Sequence, residues 1–277
     1  MTIFQSFLLG IIQGLTEFIP VSSTAHLLIG QKILGIPSND SMFSFLVLVQ
    51  LGTLLSLIIF FWKDLLKILL ATISSIKFLL ARDLEKIDTE ARLGWYIIIA
   101  TIPALVFGLL LKSAVEALFK NPLLEAGIRL LITAVVLVAA ELLSRRTRSL
   151  EKMNWLDALF IGVAQVLSVF PGASRSGTTI SAGMARGLDR PSAARFAFLM
   201  SVPVMLAAGG YQSLDLLKMS GLGSFLPLVA IGFVTAAIVG WLAIKWLLRF
   251  LNGHSLYFFA AYCGLVGLIV IGIQFLM

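Results

Sequence analysis

The chain has 277 residues, of which 59% are hydrophobic and 13% charged, with a mean hydropathy of +1.02. Soluble domains carry about 25% charged residues, so this composition excludes a single water-soluble core. It supplies instead several apolar stretches of about 20 residues, each matched to a hydrocarbon layer ~30 Å thick. The net charge of +7 lies in loops between those stretches, which argues against nucleic acid as a partner.

In chain order, Ile3 to Leu34 comes first, an apolar region interrupted by Pro20-Val21-Ser22-Ser23-Thr24. Met1 to Glu17 has no basic n-region and no small-residue cleavage site, so no removable leader is expected. Full spans are predicted at Met42 to Trp62, Leu93 to Leu111 and Leu123 to Leu143. Leu65 to Leu80 is too short to cross easily and reads as an amphipathic helix at the interface. A second interrupted region, Trp155 to Leu188, breaks at Pro171-Gly172-Ala173-Ser174-Arg175-Ser176-Gly177. Three more spans follow, Ser192 to Gln212, Phe225 to Leu248 and Leu256 to Leu276. Cys263 is the only cysteine, which leaves no disulfide and reads as inert packing within a span.

The fold class is therefore all-α: a polytopic membrane protein with six transmembrane helices and two broken segments. Backbone breaks at membrane depth persist only where protein buries them or a wet cavity receives them, so both segments read as re-entrant helical hairpins. Ordinary kinked spans fit the hydropathy alone as well. Lys63, Lys67, Lys77, Arg82, Lys86, Arg92, Arg145, Arg146, Arg148, Lys152, Arg186, Arg190 and Arg249 fall on one side; Lys32, Lys112, Lys120 and Lys218 fall on the other. The positive-inside rule makes the first side cytoplasmic and puts both termini outside.

The chain also resembles itself. Gln13-Gly-Leu-Thr-Glu-Phe-Ile-Pro20 parallels Gln165-Val-Leu-Ser-Val-Phe-Pro171 with one residue deleted, and Phe43-Ser-Phe45 parallels Phe196-Ala-Phe198. A hairpin and three spans recur, over about 1–150 and 151–277. Three spans per half invert the second half, so one membrane domain built as an inverted-topology repeat is expected, with the hairpin tips meeting near the midplane.

The tips carry the chemistry. In the first, Gln13 and Glu17 share a helix face, as do Ser23 and His26. An intramembrane carboxylate, imidazole and hydroxyl cluster is costly and points to a functional site. Ser22, Ser23 and Thr24 also suit the cap of the second half-helix. In the second tip Arg175 offers a planar fork suited to phosphate, at a helix start whose free N–H groups point the same way. Gly172 and Gly177 permit close backbone approach, and Ser174, Ser176 and Thr179 add hydroxyls. Arg175 also suits an ion pair with Glu17. Glu125 and Arg129, four apart on one span, are expected to pair with each other, and Glu141 to reach the interface at a span end.

These two tips, QGLTEFIPVSSTAH and PGASRSGTTI, resemble the signature regions of the undecaprenyl-diphosphate phosphatases, the bacitracin-resistance family. The likeness runs over nearly the whole chain, including FLMSVP after the second hairpin. It implies hydrolysis of undecaprenyl diphosphate to the monophosphate in a bacterial inner membrane, recycling the carrier lipid for peptidoglycan synthesis. By resemblance the acidic motif maps to Gln13 and Glu17, the serines to Ser22 and Ser23, the histidine to His26, and the arginine motif to Ser174, Arg175, Ser176 and Thr179. The neutral Gln13 leaves Glu17 as the one carboxylate of its motif.

On this reading Arg175 and the adjacent N–H groups hold the phosphates, Ser23 is the nucleophile and His26 its general base or the acid for the leaving group. Direct attack by water or by His26 stays open. Glu17 orients His26 or holds a divalent cation, Mg2+ or Ca2+, on the diphosphate. Gln13, Ser22, Thr24, Ser174, Ser176, Gly177 and Thr179 line the substrate. The partners are an isoprenyl diphosphate reaching the site from the outer face, membrane lipids and, as a candidate, a second copy of the chain. The rival class is a lipid-phosphate flippase or transporter using the same anion cradle, because inverted repeats with broken helices also build transporters. Transport needs Arg175 but has no use for a nucleophile beside a base.

Overall fold

The computed structural model describes residues 1–37, 40–110, 122–168, 173–216 and 222–276. The described residues form eleven α-helices: α1 (Ile3–Thr16), α2 (Ser23–Ile33), α3 (Asp40–Phe60), α4 (Trp62–Leu80), α5 (Thr89–Leu110), α6 (Pro122–Leu143), α7 (Trp155–Val166), α8 (Arg175–Ala185), α9 (Arg190–Leu216), α10 (Leu222–Leu251) and α11 (Tyr257–Leu276). Six are long and apolar enough to cross a bilayer: α3, α5, α6, α9, α10 and α11. They fall within a few residues of the spans read from hydropathy. Of the loop cations expected on the sparsely charged side, Lys112, Lys120 and Lys218 lie outside the described residues.

Both interrupted segments are broken. The pairs α1–α2 and α7–α8 have 14, 11, 12 and 11 residues. At 1.5 Å per residue these helices are only about 16–21 Å long, too short to cross alone, which is compatible with re-entrant hairpins. The pairing of elements is also compatible with a repeat. Helix α1 packs on α10 of the other half, and α7 packs on α5; α3 meets α9, and α6 meets α11.

Small residues make these contacts close, the usual solution where lipid offers no hydrophobic drive between helices. Gly10 faces Gly232 on α10, and Gly162 faces the backbone of Ala100 on α5. These two glycines each precede by three the glutamines, Gln13 and Gln165, that align the halves. A Cβ added at Gly162 would lie 2.7 Å from Ala100 Cα, and backbone cannot yield as a side chain can. Gly162→Ala is therefore expected to cost about 1–3 kcal/mol and to lower the thermal midpoint in detergent. Gly272→Ala, where a Cβ meets nothing within 4 Å, is the control and should leave the midpoint in place.

Helix α4 lies outside the set of six long apolar helices, as its amphipathic pattern predicts. Its buried side is Ile68, Thr72 and Ser75, set against α5, where Trp95 Nε1 donates to Ser75 Oγ at 3.0 Å. Leu66, Leu69, Leu70, Ile73 and Ile76 stay exposed, the face an interfacial helix presents to acyl chains.

The connection between the halves is tied down by two buried acids. Glu141, at the end of α6, takes a bidentate contact from Arg190 (2.7 and 2.5 Å), a third from Arg146 (2.6 Å) and the Leu256 backbone N–H (2.7 Å). Its side chain is 1% exposed, so these partners rather than solvent balance its charge. The following chain doubles back, with Arg146 at φ 50° and Arg148 bridged to Leu188, and lays Arg146 over the carboxylate. Asp157 in the first turn of α7 is held likewise by Arg148 and Arg186. Glu125 and Arg129 pair within α6 at 2.8 Å, as their spacing predicts.

Candidate active site

The first tip is the turn between α1 and α2. Glu17 continues the α1 ladder by donating its N–H to Gln13 O at 3.0 Å. Phe18 then plunges into the core, edge-on to Phe198 of α9 at 5.5 Å and 77°, which anchors the turn. Ser22 has φ 69°, a left-handed conformation that costs a non-glycine residue of order 1 kcal/mol. It precedes α2 but makes no side-chain cap bond, and Ser23 sends its hydroxyl to Glu17. The capping role expected of this serine run is thus not found in Ser22 or Ser23. Both hydroxyls are free of the helix end, and one of them faces the carboxylate.

The second tip opens α8. Ser174 is its N-cap, accepting from Gly177 N at 3.2 Å, and its own N–H donates to Thr133 Oγ1 of α6 at 3.1 Å. Ser174 and Ser176 hydroxyls lie 3.1 Å apart. Thr179 turns its hydroxyl back to Arg175 O at 2.8 Å. The hydroxyls of the second motif therefore shape the helix start, and Arg175 stands as the first residue of the helix. Pro171 and Gly172 lie outside the described residues.

The two tips meet. Arg175 Nη2 is ion-paired with Glu17 Oε1. The other carboxylate oxygen, Oε2, accepts from Ser23 Oγ at 2.7 Å and from Gln13 Nε2 at 2.9 Å. Gln13 also points its amide at Thr53 Oγ1 of α3, at 3.4 Å. Ser176 Oγ donates to Ile19 O across the junction at 3.3 Å. Glu17 is buried, whereas the Arg175 side chain is 19% exposed, so the pair has an open side. The second arginine nitrogen, Nη1, is buried with no hydrogen-bond partner. A buried, unmatched guanidinium donor is costly unless something accepts from it, and it marks where an anion would sit.

His26 sits at the first tip but is not bonded to Ser23. Its Nδ1 faces Ser22 O at 2.9 Å and its Nε2 faces Tyr262 OH at 2.8 Å. Neither nitrogen is bonded to Ser23, whose proton is directed at Glu17. Thr24 is exposed, and Ser22 contributes its carbonyl. Thr53, Thr133 and Tyr262 join the site without having been singled out in the sequence. Tyr262 carried a faint signal, being a phenol inside an apolar run whose hydroxyl needs a partner when buried.

Among the described residues there is no group of three His, Cys, Asp or Glu able to hold a metal ion. One carboxylate beside hydroxyls does not make a protein-built cage. It does suit a cation such as Mg2+ that keeps its waters and is held by one carboxylate together with substrate phosphates.

Six long apolar helices, with two broken pairs joining an arginine to a carboxylate and a hydroxyl, define a multi-pass membrane protein with a polar cluster where its two tips meet. The profile of the bacitracin resistance protein BacA family matches residues 6–269. Among curated relatives, an undecaprenyl-diphosphatase of Mycolicibacterium smegmatis is 41% identical over 271 residues, covering 97% of this chain and 95% of that one. Proteins of the same name from Syntrophobacter fumaroxidans (38%, covering 96% and 95%) and Methanosphaera stadtmanae (39%, covering 97% of each) are equally co-extensive. The chain belongs to the BacA family.

Proposed function

We propose that this chain is a phosphatase that hydrolyses undecaprenyl diphosphate to undecaprenyl phosphate, returning the carrier lipid to peptidoglycan synthesis and conferring bacitracin resistance. The observation that carries the reading is the junction of the tips: a serine hydroxyl aimed at a buried carboxylate, next to an arginine with one donor to spare.

In this mechanism the terminal phosphate draws Arg175 from Glu17 and takes both guanidinium nitrogens, a bidentate arrangement that also offsets charge in the transition state. Ser23 Oγ then attacks the terminal phosphorus while its proton passes to Glu17 Oε2. The bond from that phosphorus to the bridging oxygen breaks, and the isoprenyl monophosphate leaves. Water hydrolyses the phosphoserine, giving inorganic phosphate and restoring the hydroxyl. His26, at the half-buried rim, handles protons for the leaving group or the water rather than for Ser23. Glu17 is the residue that would hold a divalent cation, which would supply charge neutralisation for the diphosphate. Gln13 steadies Glu17, and Ser174, Ser176, Gly177 and Thr179 hold Arg175 and the N–H groups of α8 in place.

The same reading sets the two hairpins into the membrane from opposite faces of an inverted repeat, in the bacterial inner membrane. The site then opens to the outer face. A second copy of the chain is a candidate partner.

The test is phosphate release from a long-chain isoprenyl diphosphate by purified protein in detergent with Mg2+ or Ca2+. The parent should turn over, and Ser23→Ala should lose about 10³-fold or more, as nucleophile loss does elsewhere. Near-parental turnover by Ser23→Ala would rule out Ser23 and leave water or His26 as the nucleophile. A folded parent that releases no phosphate would shift the reading to lipid transport.

A further inference from the structure

We infer that Tyr262, on α11, is a positioning residue for His26, fixing both the orientation and the tautomer of its ring. This rests on the phosphatase reading for its consequence, though not for its geometry. The two rings stack with centroids 5.6 Å apart and planes within 8°, and the Tyr262 hydroxyl lies 2.8 Å from Nε2. On the other edge, Nδ1 is 2.9 Å from Ser22 O. A backbone carbonyl only accepts, so Nδ1 must carry a hydrogen. In the neutral imidazole that leaves Nε2 as the acceptor, and the phenol donates to it. The tautomer is thus dictated by two partners 240 residues apart in the chain (22 and 262).

A hydroxyl is a fit partner for a group that gains and loses a proton. Facing neutral imidazole the phenol donates; facing imidazolium the same oxygen accepts from Nε2–H. The ring keeps its place in both states. A carbonyl at Tyr262's position would hold only the protonated form, and an ammonium only the neutral one. The carbonyl on the Nδ1 edge belongs to Ser22, the residue with the left-handed backbone, so the turn and the phenol grip the ring from opposite sides.

The sequence contains only two histidines, His26 and His254, which makes the ring directly observable. In protein labelled with 15N-histidine, with His254→Gln used for assignment, the parent should show His26 as the Nδ1–H tautomer in its neutral form. Tyr262→Phe keeps the stack and removes the hydroxyl, so His26 should shift toward a tautomer mixture. In the phosphate-release assay Tyr262→Phe should lower kcat about tenfold, the worth of one such hydrogen bond, with KM within about twofold of the parent. Combined with His26→Ala it should cause no further loss, because residues acting through one another are not additive. An unchanged tautomer signal in Tyr262→Phe, or a loss that adds fully to that of His26→Ala, would overturn the assignment. If the parent releases no phosphate, the phosphatase reading fails, while the tautomer measurement still decides whether Tyr262 holds the ring.

Discussion

Arg175→Lys is expected to reduce turnover by about 10²–10³-fold without unfolding the protein. Both side chains are cations, so a site that needed only charge would tolerate the exchange. The structure asks for more. Nη2 already serves Glu17 while Nη1 stands buried and unmatched, and only a planar fork presents two such donors at once. An ammonium at this place can hold the carboxylate or the phosphate as a point charge, but cannot exchange one for the other along a rigid edge. The loss should fall mainly on kcat, since the fork acts most strongly as charge develops on the phosphoryl oxygens. The measurement is kcat and KM for parent and variant in detergent, beside their thermal midpoints. Normal turnover by Arg175→Lys would remove Arg175 from the phosphate and leave it a partner of Glu17 alone.

The second large effect is structural. Glu141→Ala should destabilise the protein by about 3 kcal/mol or more, because it strips the common acceptor from Arg146, Arg190 and the Leu256 N–H at once. The arginines are 34% and 22% exposed, so water recovers part of the loss and the lower end of the range applies. For a chain of this size that corresponds to roughly a 6–12 °C fall in thermal midpoint. Arg145→Ala, on an arginine next in sequence to Arg146 but outside the described ion pairs, is the comparison. If the two variants melt together, the clamp on Glu141 does not hold the halves in register.

The architecture was readable because a bilayer imposes simple demands. Spans of about 20 apolar residues stand out, and the prolines and serines that break Ile3–Leu34 and Trp155–Leu188 leave pieces too short to cross. The Glu17–Arg175 pair was readable for the same reason: a charge at membrane depth needs a partner, and few were on offer. What sequence spacing did not convey is tertiary. Tyr262 reaches His26 across 236 positions, and Thr53 and Thr133 enter from α3 and α6 as ordinary hydroxyls of apolar helices. Helix periodicity put Ser23 and His26 on one face, which suggested a couple. The imidazole instead bonds to Ser22 O and to Tyr262 of α11, and the serine to Glu17. Nor does a position at a helix end tell that Arg146 and Arg190 close over Glu141.

The pairing of Glu17 with Arg175 also sets an order of events during biosynthesis. Glu17 is made 158 residues before its counter-ion, a lag of roughly 8–30 s at ordinary elongation rates of about 5–20 residues per second. Through that interval the first hairpin has only Gln13 and Ser23 to offer the carboxylate. Its carboxylate therefore gains a cation only when the second hairpin arrives to meet it. A chain that stops short of the second hairpin keeps a carboxylate without its cation, and even past that point α1 still awaits α10, and His26 still awaits Tyr262.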